Sequence, residues 1–275
     1  MADPKKAVVN FGSTLGEAIG SLIEVEVNRL LMPIAQEYSC VYVTVGLPHP
    51  KSGKPQKLLL RDMAGNEYNI DAVIANARMQ PLVLIESKYI RYVKHNRDKG
   101  SWICTAHYSL RRSFPTVRKS IAVLAGNWSS SSKAMLQSFD VTLFEVGFAH
   151  IREVLASYNI DIGWGEKERD RVMGAWHAWQ SLNESQKDEI AHQLLAEIEP
   201  LLKQTLKETL DGTIPREIQE VEITIETTLG ESRRYIFSSL AEAITFLEEF
   251  DEEALLSDDE GPSLWEASSS PPLNN

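Results

Sequence analysis

Apolar residues recur at three- and four-residue spacing through the stretch Ser13 to Glu37, where Leu15, Ile19, Leu22, Ile23, Val27, Leu30, Leu31 and Ile34 fall on one side of a helix. The pattern predicts an amphipathic helix opened by a Ser/Thr cap, with Pro33 bending its last turns. Beyond it the period shortens to two. The stretches CVYVTVG, KLLLRD, YNIDAVIAN and PLVLIESKY read as strands, separated by the proline-rich loop LPHPKSGKPQ, the turn MAGNE and a polar link around Arg78 to Gln80. Four strands in succession after one helix predict an antiparallel meander whose first strand is short or peripheral.

Further on, SWICTAHYSLRRSF reads as a helix stopped by Pro115. KSIAVLAG and DVTLFEV are apolar runs of the kind found in strands covered on both faces, and the serine-rich NWSSSSKAMLQSF between them is loop or helix. GFAHIREVLASYN is a helix, so the order describes an α/β fold, a mixed β-sheet with helices on both faces. Residues 166–210 are charged and helical, two helices broken near Asn183. EVEITIETTLGESRRYIFSSLAEAITFLEEF predicts a hairpin turning at Gly230 and a final helix, together too small to stand alone. The expected division is a core over 1–160, a helical plus hairpin C-terminal region over 161–250, and an acidic, Ser/Pro-rich disordered tail over 251–275.

Composition narrows the class. The chain has 275 residues, 43% hydrophobic and 24% charged, and no apolar run reaches the length of a membrane span. The opening MADPKKAVVNFG lacks the apolar segment of a secretion signal, so a cytoplasmic protein is expected. Cys40 and Cys104 sit in apolar contexts without CxxC spacing, which predicts reduced, buried thiols and neither a disulfide framework nor a zinc site. The net charge of −11 argues against a polyanionic partner until its distribution is considered. Ten acidic residues and no basic one follow Ser239, whereas Lys88 to Lys119 holds nine basic residues against Asp98 alone. The positive density therefore begins where PLVLIESKY ends.

That strand ends in Glu86-Ser87-Lys88, and Asp71 stands in the preceding one. Residues two apart on a strand share a face, so Glu86 and Lys88 project together while Ser87 offers its carbonyl between them. An antiparallel return over the intervening residues brings Asp71 to the same patch. Two carboxylates and a carbonyl form a hard-oxygen site suited to Mg²⁺, and a neighbouring lysine can orient a bound water and offset charge on a phosphate. An ordinary strand-end ion pair of Glu86 with Lys88 is the competing explanation.

Asp71 followed by Glu86-Ser87-Lys88 resembles the D-(X)n-EXK signature of the PD-(D/E)XK nuclease superfamily, although Ile70 stands where the name has proline. Gly20-Ser21-Leu22-Ile23-Glu24 is similar to the GxxxE pattern on that family's first helix, with Glu17 and Glu26 as nearby alternatives. The resemblance covers roughly residues 13 to 146 and implies a restriction-endonuclease-like fold. It implies Mg²⁺, with Mn²⁺ as a substitute, held by Asp71, Glu86, the Ser87 carbonyl and Glu24, with Lys88 as catalytic lysine. The implied activity is DNA phosphodiester hydrolysis, foremost as a Type II restriction endonuclease on double-stranded DNA, frequently as a homodimer, or as a repair or recombination nuclease. His107 and Arg111, one turn apart, match a helix that in that family reaches the site; a plain basic helix face is the alternative. The segment RYVKHNRDKG offers Arg91, Lys94, Arg97 and Lys99 as phosphate contacts along a loop. From a different class, a nuclease-fold protein that binds nucleic acid or a partner without cutting fits the same residues.

Overall fold

The computed structural model describes residues 10–46, 56–165, 168–215 and 217–251. The expected acidic tail beyond Asp251, the loop residues 47–55 and the start of the chain lie outside the described residues. The first unit spans residues 1–212 and the second 213–275.

In the first unit, helix α1 (Phe11–Glu37) is capped by Asn10, whose side chain accepts from the Ser13 N–H, and it runs through Pro33 without interruption. There follow β1 (Val41–Val43), β2 (Val45–Gly46), β3 (Gln56–Lys57), β4 (Leu59–Arg61), β5 (Glu67–Asn69), β6 (Ala72–Ala75) and β7 (Pro81–Ile90). A 3-10 turn (Val93–His95) leads into α2 (Asn96–Ser113), then β8 (Lys119–Gly126), α3 (Ser130–Ser138), β9 (Val141–Gly147) and α4 (Phe148–Ala156). Three helices complete it, α5 (Arg169–Ser181), α6 (Glu184–Leu195) and α7 (Glu199–Leu210).

The central sheet has five strands in the order β1-β6-β7-β8-β9. β1, β6 and β7 are antiparallel, whereas β8 and β9 run parallel to β7, as a helix-linked crossover requires. The meander is thus real but omits KLLLRD. Residues 44–46 and 56–69 leave the sheet and make two small antiparallel pairs, β2 with β3 and β4 with β5. The serine-rich segment is a helix, capped by the Ser129 hydroxyl.

β7 lies in the middle of the sheet, which is why its sequence is an unbroken apolar run up to Ile85. Val83 and Ile85 pack into the cluster built by Leu15, Ile19, Ile23 and Val27 of α1, while Leu84 packs with Ala106 and Leu110 of α2. The same main cluster takes in Trp164, Trp179, Ile190, Leu194, Leu202 and Leu206. The helices after residue 160 therefore finish the core instead of forming a separate region, and the division falls at 212. They number three: Asn183 opens α6 with a reciprocal capping box, and a second break precedes Pro200. Cys104 is buried and Cys40 half-buried, both as free thiols.

The second unit holds the hairpin β10 (Val221–Glu226) and β11 (Ser232–Phe237), turning at Gly230 with φ +88°, and helix α8 (Leu240–Glu248). Tyr235, Phe237, Phe246 and Phe250 stack on one another with ring centroids 4.5–6.4 Å apart.

Candidate active site

The sheet forks at Asp71. β6 pairs with β7 only from Ala72, opposite Ile85, while β7 continues five residues further with β8 as its partner on the other side. Before Asp71 the chain has turned away, with the Ile70 N–H bonded to the Leu58 carbonyl. The fork ends the β6 pairing along Glu86–Ile90 and leaves the Ser87 N–H without a strand neighbour, and Asp71 Oδ2 accepts it at 2.9 Å. One carboxylate is thereby held against the strand that carries the other.

Glu86 and Lys88 share the α2-facing side of β7 with Leu84, as the strand period requires. The Lys88 ammonium lies 2.6 Å from Asp71 Oδ2 and 2.5 Å from Glu86 Oε2. Those two oxygens are therefore no more than about 5 Å apart, comparable with the roughly 4 Å that separates opposite ligands across a Mg²⁺ ion. Glu86 is wholly buried, and neither of its oxygens has a partner in hydrogen-bond geometry.

Electrostatics follow from this arrangement. Burial pushes the Glu86 carboxyl up to about 8, with Asp71 adding to the rise and Lys88 opposing it. For Asp71, burial is outweighed by the Lys88 charge and by hydrogen bonds, so its carboxyl titrates below the ordinary value. Lys88 resists the loss of charge that burial favours because both carboxylates face it, and its value is raised. Glu24 is raised, by burial first and Asp71 second, against Lys88 and Lys57.

Among the described residues no group of three or more His, Cys, Asp or Glu side chains converges as a metal cage. Two carboxylates converge, one of them buried and facing only the ammonium it shares with the other, and Mg²⁺ needs only one or two because it keeps several waters. Asp71 and Glu86 thus fit a hydrated Mg²⁺ ion. Glu24 lines the same cleft.

That cleft, about 640 Å³ and open to solvent, is lined by Glu24, Asp71 and Lys88 together with Thr44, Lys57, Leu58, Asn69, Ile70, Asp98, Lys99 and Trp102. The start of α2 reaches it because Asn96 is buried and donates to the Asn127 carbonyl, while Asn127 donates to the carbonyls of Ile90 and Arg91. Gly126 permits this tie, with φ +96° and the Ile90 carbonyl oxygen only 2.1 Å from where a Cβ would stand. Lys57 and Trp102 are cleft residues that the sequence pattern does not single out, and Asp98 stands out there only as the acid within the basic run; the signal for Trp102 is an aromatic residue amid that run.

The predicted basic contacts separate. Lys99 lines the cleft, and Arg97 is exposed on the first turn of α2, which begins five residues earlier than the pattern suggested and absorbs the end of the supposed loop. Lys94 is exposed, its ammonium 5.3 Å from the centre of the Tyr92 ring. Arg91 requires correction. Its guanidinium stacks 3.8 Å from the centre of Trp164 and donates to the Trp164 carbonyl, with Nε and Nη1 inaccessible, so it is an internal clamp. His107 requires correction too. It is fully buried, burial holds its imidazole down near 3, and a neutral ring out of solvent cannot contact phosphate. Arg111 is partly exposed and lies 3.5 Å from Asp140.

No family model matches the chain, and no curated protein matches it. A crystal structure of a protein of unknown function, AF1548, aligns over 70% of this chain and 100% of its own with 15% identity and a TM-score of 0.28. Similarity that low carries no assignment. What the comparisons leave standing is a mixed α/β fold with a five-stranded sheet flanked by helices, and, among the described residues, no helix long and apolar enough to cross a membrane.

Proposed function

We propose that this protein is a Mg²⁺-dependent endodeoxyribonuclease on a restriction-endonuclease-like fold, with Mn²⁺ as an effective substitute. The observation that carries the reading is the convergence of Asp71 and the unsatisfied, buried Glu86 on Lys88, at a fork of the sheet that opens into a cleft. A buried polar group without a full set of partners calls for an explanation, and a bound ion is one that suits a carboxylate beside a second carboxylate in a cleft. The order helix, antiparallel three-stranded meander, helix, parallel strand supports the fold reading.

Asp71 and Glu86 would hold the ion, with Glu24 at the edge of the same cleft and the Ser87 carbonyl as an expected further donor. Bound there, Mg²⁺ supplies Lewis acidity toward a phosphate oxygen and a more acidic water. Lys88 offsets charge that develops on the phosphate and positions the attacking water. Asp71 holds Lys88 and the Ser87 backbone, so its removal disorders the lysine as well as the ion site. A restriction enzyme cutting duplex DNA as a homodimer and a repair nuclease cutting frayed or branched DNA both use this chemistry.

The test is incubation of purified protein with linear, supercoiled and branched DNA in Mg²⁺, Mn²⁺ or EDTA, beside Asp71→Ala and Lys88→Ala. Metal-dependent fragments that disappear in both variants are expected. A wild type that cuts no DNA form in either metal, or variants that cut as well as wild type, would remove the proposal.

A further inference from the structure

Trp102 is 42% exposed and is part of the cleft wall that also carries Asp71 and Lys88. An exposed aromatic ring at the mouth of a polar site offers a flat apolar face on which a base can stack. The ring is held rather than loose: Tyr68 packs against it with centroids 5.7 Å apart, and Tyr68 is itself buried and donates its hydroxyl to Asp62. Leu58 and Ile70 continue the apolar part of the wall. Three ammonium groups, Lys57, Lys88 and Lys99, face the same space, matched by the carboxylates of Glu24, Asp71 and Asp98. With charge balanced, long-range attraction for a polyanion is weak, and affinity in the cleft must come from close contact.

Intact duplex DNA cannot supply that contact, because its base faces are stacked on one another and it presents phosphates and groove edges. An unpaired strand can, since each base has a free face to lay on an aromatic ring while lysines follow the phosphates. The volume points the same way: roughly 300 to 1,000 Å³ suits a ligand of small-molecule size, which here means one or two nucleotides rather than a double helix.

Resting on the nuclease reading, we infer that the cleft takes a single, unpaired DNA strand, with Trp102 stacking a base of the strand whose phosphate lies at Asp71 and Lys88. The substrate class is then single-stranded, frayed or branched DNA, and Trp102 is a specificity-determining residue for it. This favours the repair-type nuclease over restriction of intact duplex.

The experiment measures binding of a fluorescent oligothymidylate and of a blunt duplex by anisotropy, in EDTA so that nothing is cut, for wild type, Trp102→Ala and Trp102→Phe. Melting curves of each variant confirm folding, and Asp71→Ala is assayed for cleavage in parallel. The expected result is tighter binding of the single strand than of the duplex, a loss of about tenfold or more on the single strand in Trp102→Ala, the size of one base–aromatic stack, and recovery of most of it in Trp102→Phe. Duplex binding at least as tight as single-strand binding, or a Trp102→Ala variant with wild-type affinity for the single strand, overturns the inference; if metal-dependent cleavage is still lost in Asp71→Ala, the nuclease reading survives it. Binding of neither form together with no cleavage overturns both.

Discussion

Glu26 on α1 and Glu86 on β7 are almost equally buried, at 4% and 0% exposure, and their surroundings are opposite. Glu26 receives Arg29 through two hydrogen bonds of 2.6 Å, one to each oxygen, and lies 2.8 Å from the His192 ring on α6. Burial would raise its carboxyl, but the hydrogen bonds from Arg29 and His192 prevail and lower it. Glu86 has one ammonium, shared with Asp71, and its carboxyl is raised. Burial alone therefore does not mark a functional carboxylate. What separates the two is the supply of donors: Glu26 joins two helices as a finished ion pair, while Glu86 faces one shared ammonium, and on that difference the proposed cation site rests.

The largest expected effect is on chemistry. Glu86→Gln should reduce metal-dependent cleavage by about 10²- to 10⁴-fold, the range for losing a positioned charged group, whereas Glu26→Gln should leave cleavage rates unchanged. Equal losses in both variants would dissolve the contrast between the two glutamates.

Stability should separate them in the other direction, and with pH. In metal-free protein the raised value of Glu86 means that the folded state binds its proton more tightly than the unfolded chain, so its contribution is full below the ordinary value of 4.5 and is lost as pH rises toward about 8. Glu86→Gln abolishes that loss, and its stability relative to wild type should climb across this window in urea titrations. Glu26 has the reverse sign. Its lowered value contributes stability above 4.5 that vanishes as pH falls through the folded-state value. Glu26→Gln should thus cost about 1–2 kcal/mol at neutral pH, hydrogen bonds to charged groups being discounted because Arg29 and His192 are more than half exposed, and should approach wild type in acid.

A smaller effect distinguishes two arginine and lysine positions that look alike in the sequence. Arg91→Ala removes the stack on Trp164 and its carbonyl bond, a cost of about 1–2 kcal/mol, and should leave the salt dependence of DNA binding untouched. Lys99→Ala should hardly change stability but lower the slope of log affinity against log salt by about 1. A shallower slope for Arg91→Ala would return Arg91 to the DNA-contacting set.

Much of this was legible because it depends on periodicity and short-range chemistry. The α1 stripe, the apolar runs of β7 and β8, the Gly230 turn and the triplet Glu86-Ser87-Lys88 all follow from residue spacing. What stayed hidden depends on neighbours far along the chain. KLLLRD has a strand-like composition, but only pairing decides that it leaves the sheet, and that excursion is what places Lys57 and Leu58 in the cleft wall. His107 and Arg91 sit in a basic run, yet His107 is on the buried face of α2 and the Arg91 guanidinium is engaged by Trp164, 73 residues away. The boundary at 160 failed for the same reason, since Trp179 and Leu202 complete a core that α1 begins.

The central claim is that Asp71 and Glu86 form a cation site which Lys88 only partly satisfies. The most direct test is the melting temperature of DNA-free protein titrated with Mg²⁺ and Mn²⁺, compared among wild type, Glu86→Gln and Asp71→Asn. A ligand that binds only the folded state raises stability by RT ln(1 + [L]/Kd), so the wild type should melt progressively higher as metal is added while both variants stay flat. A wild type whose melting is indifferent to either metal, or variants that respond as it does, would contradict the account.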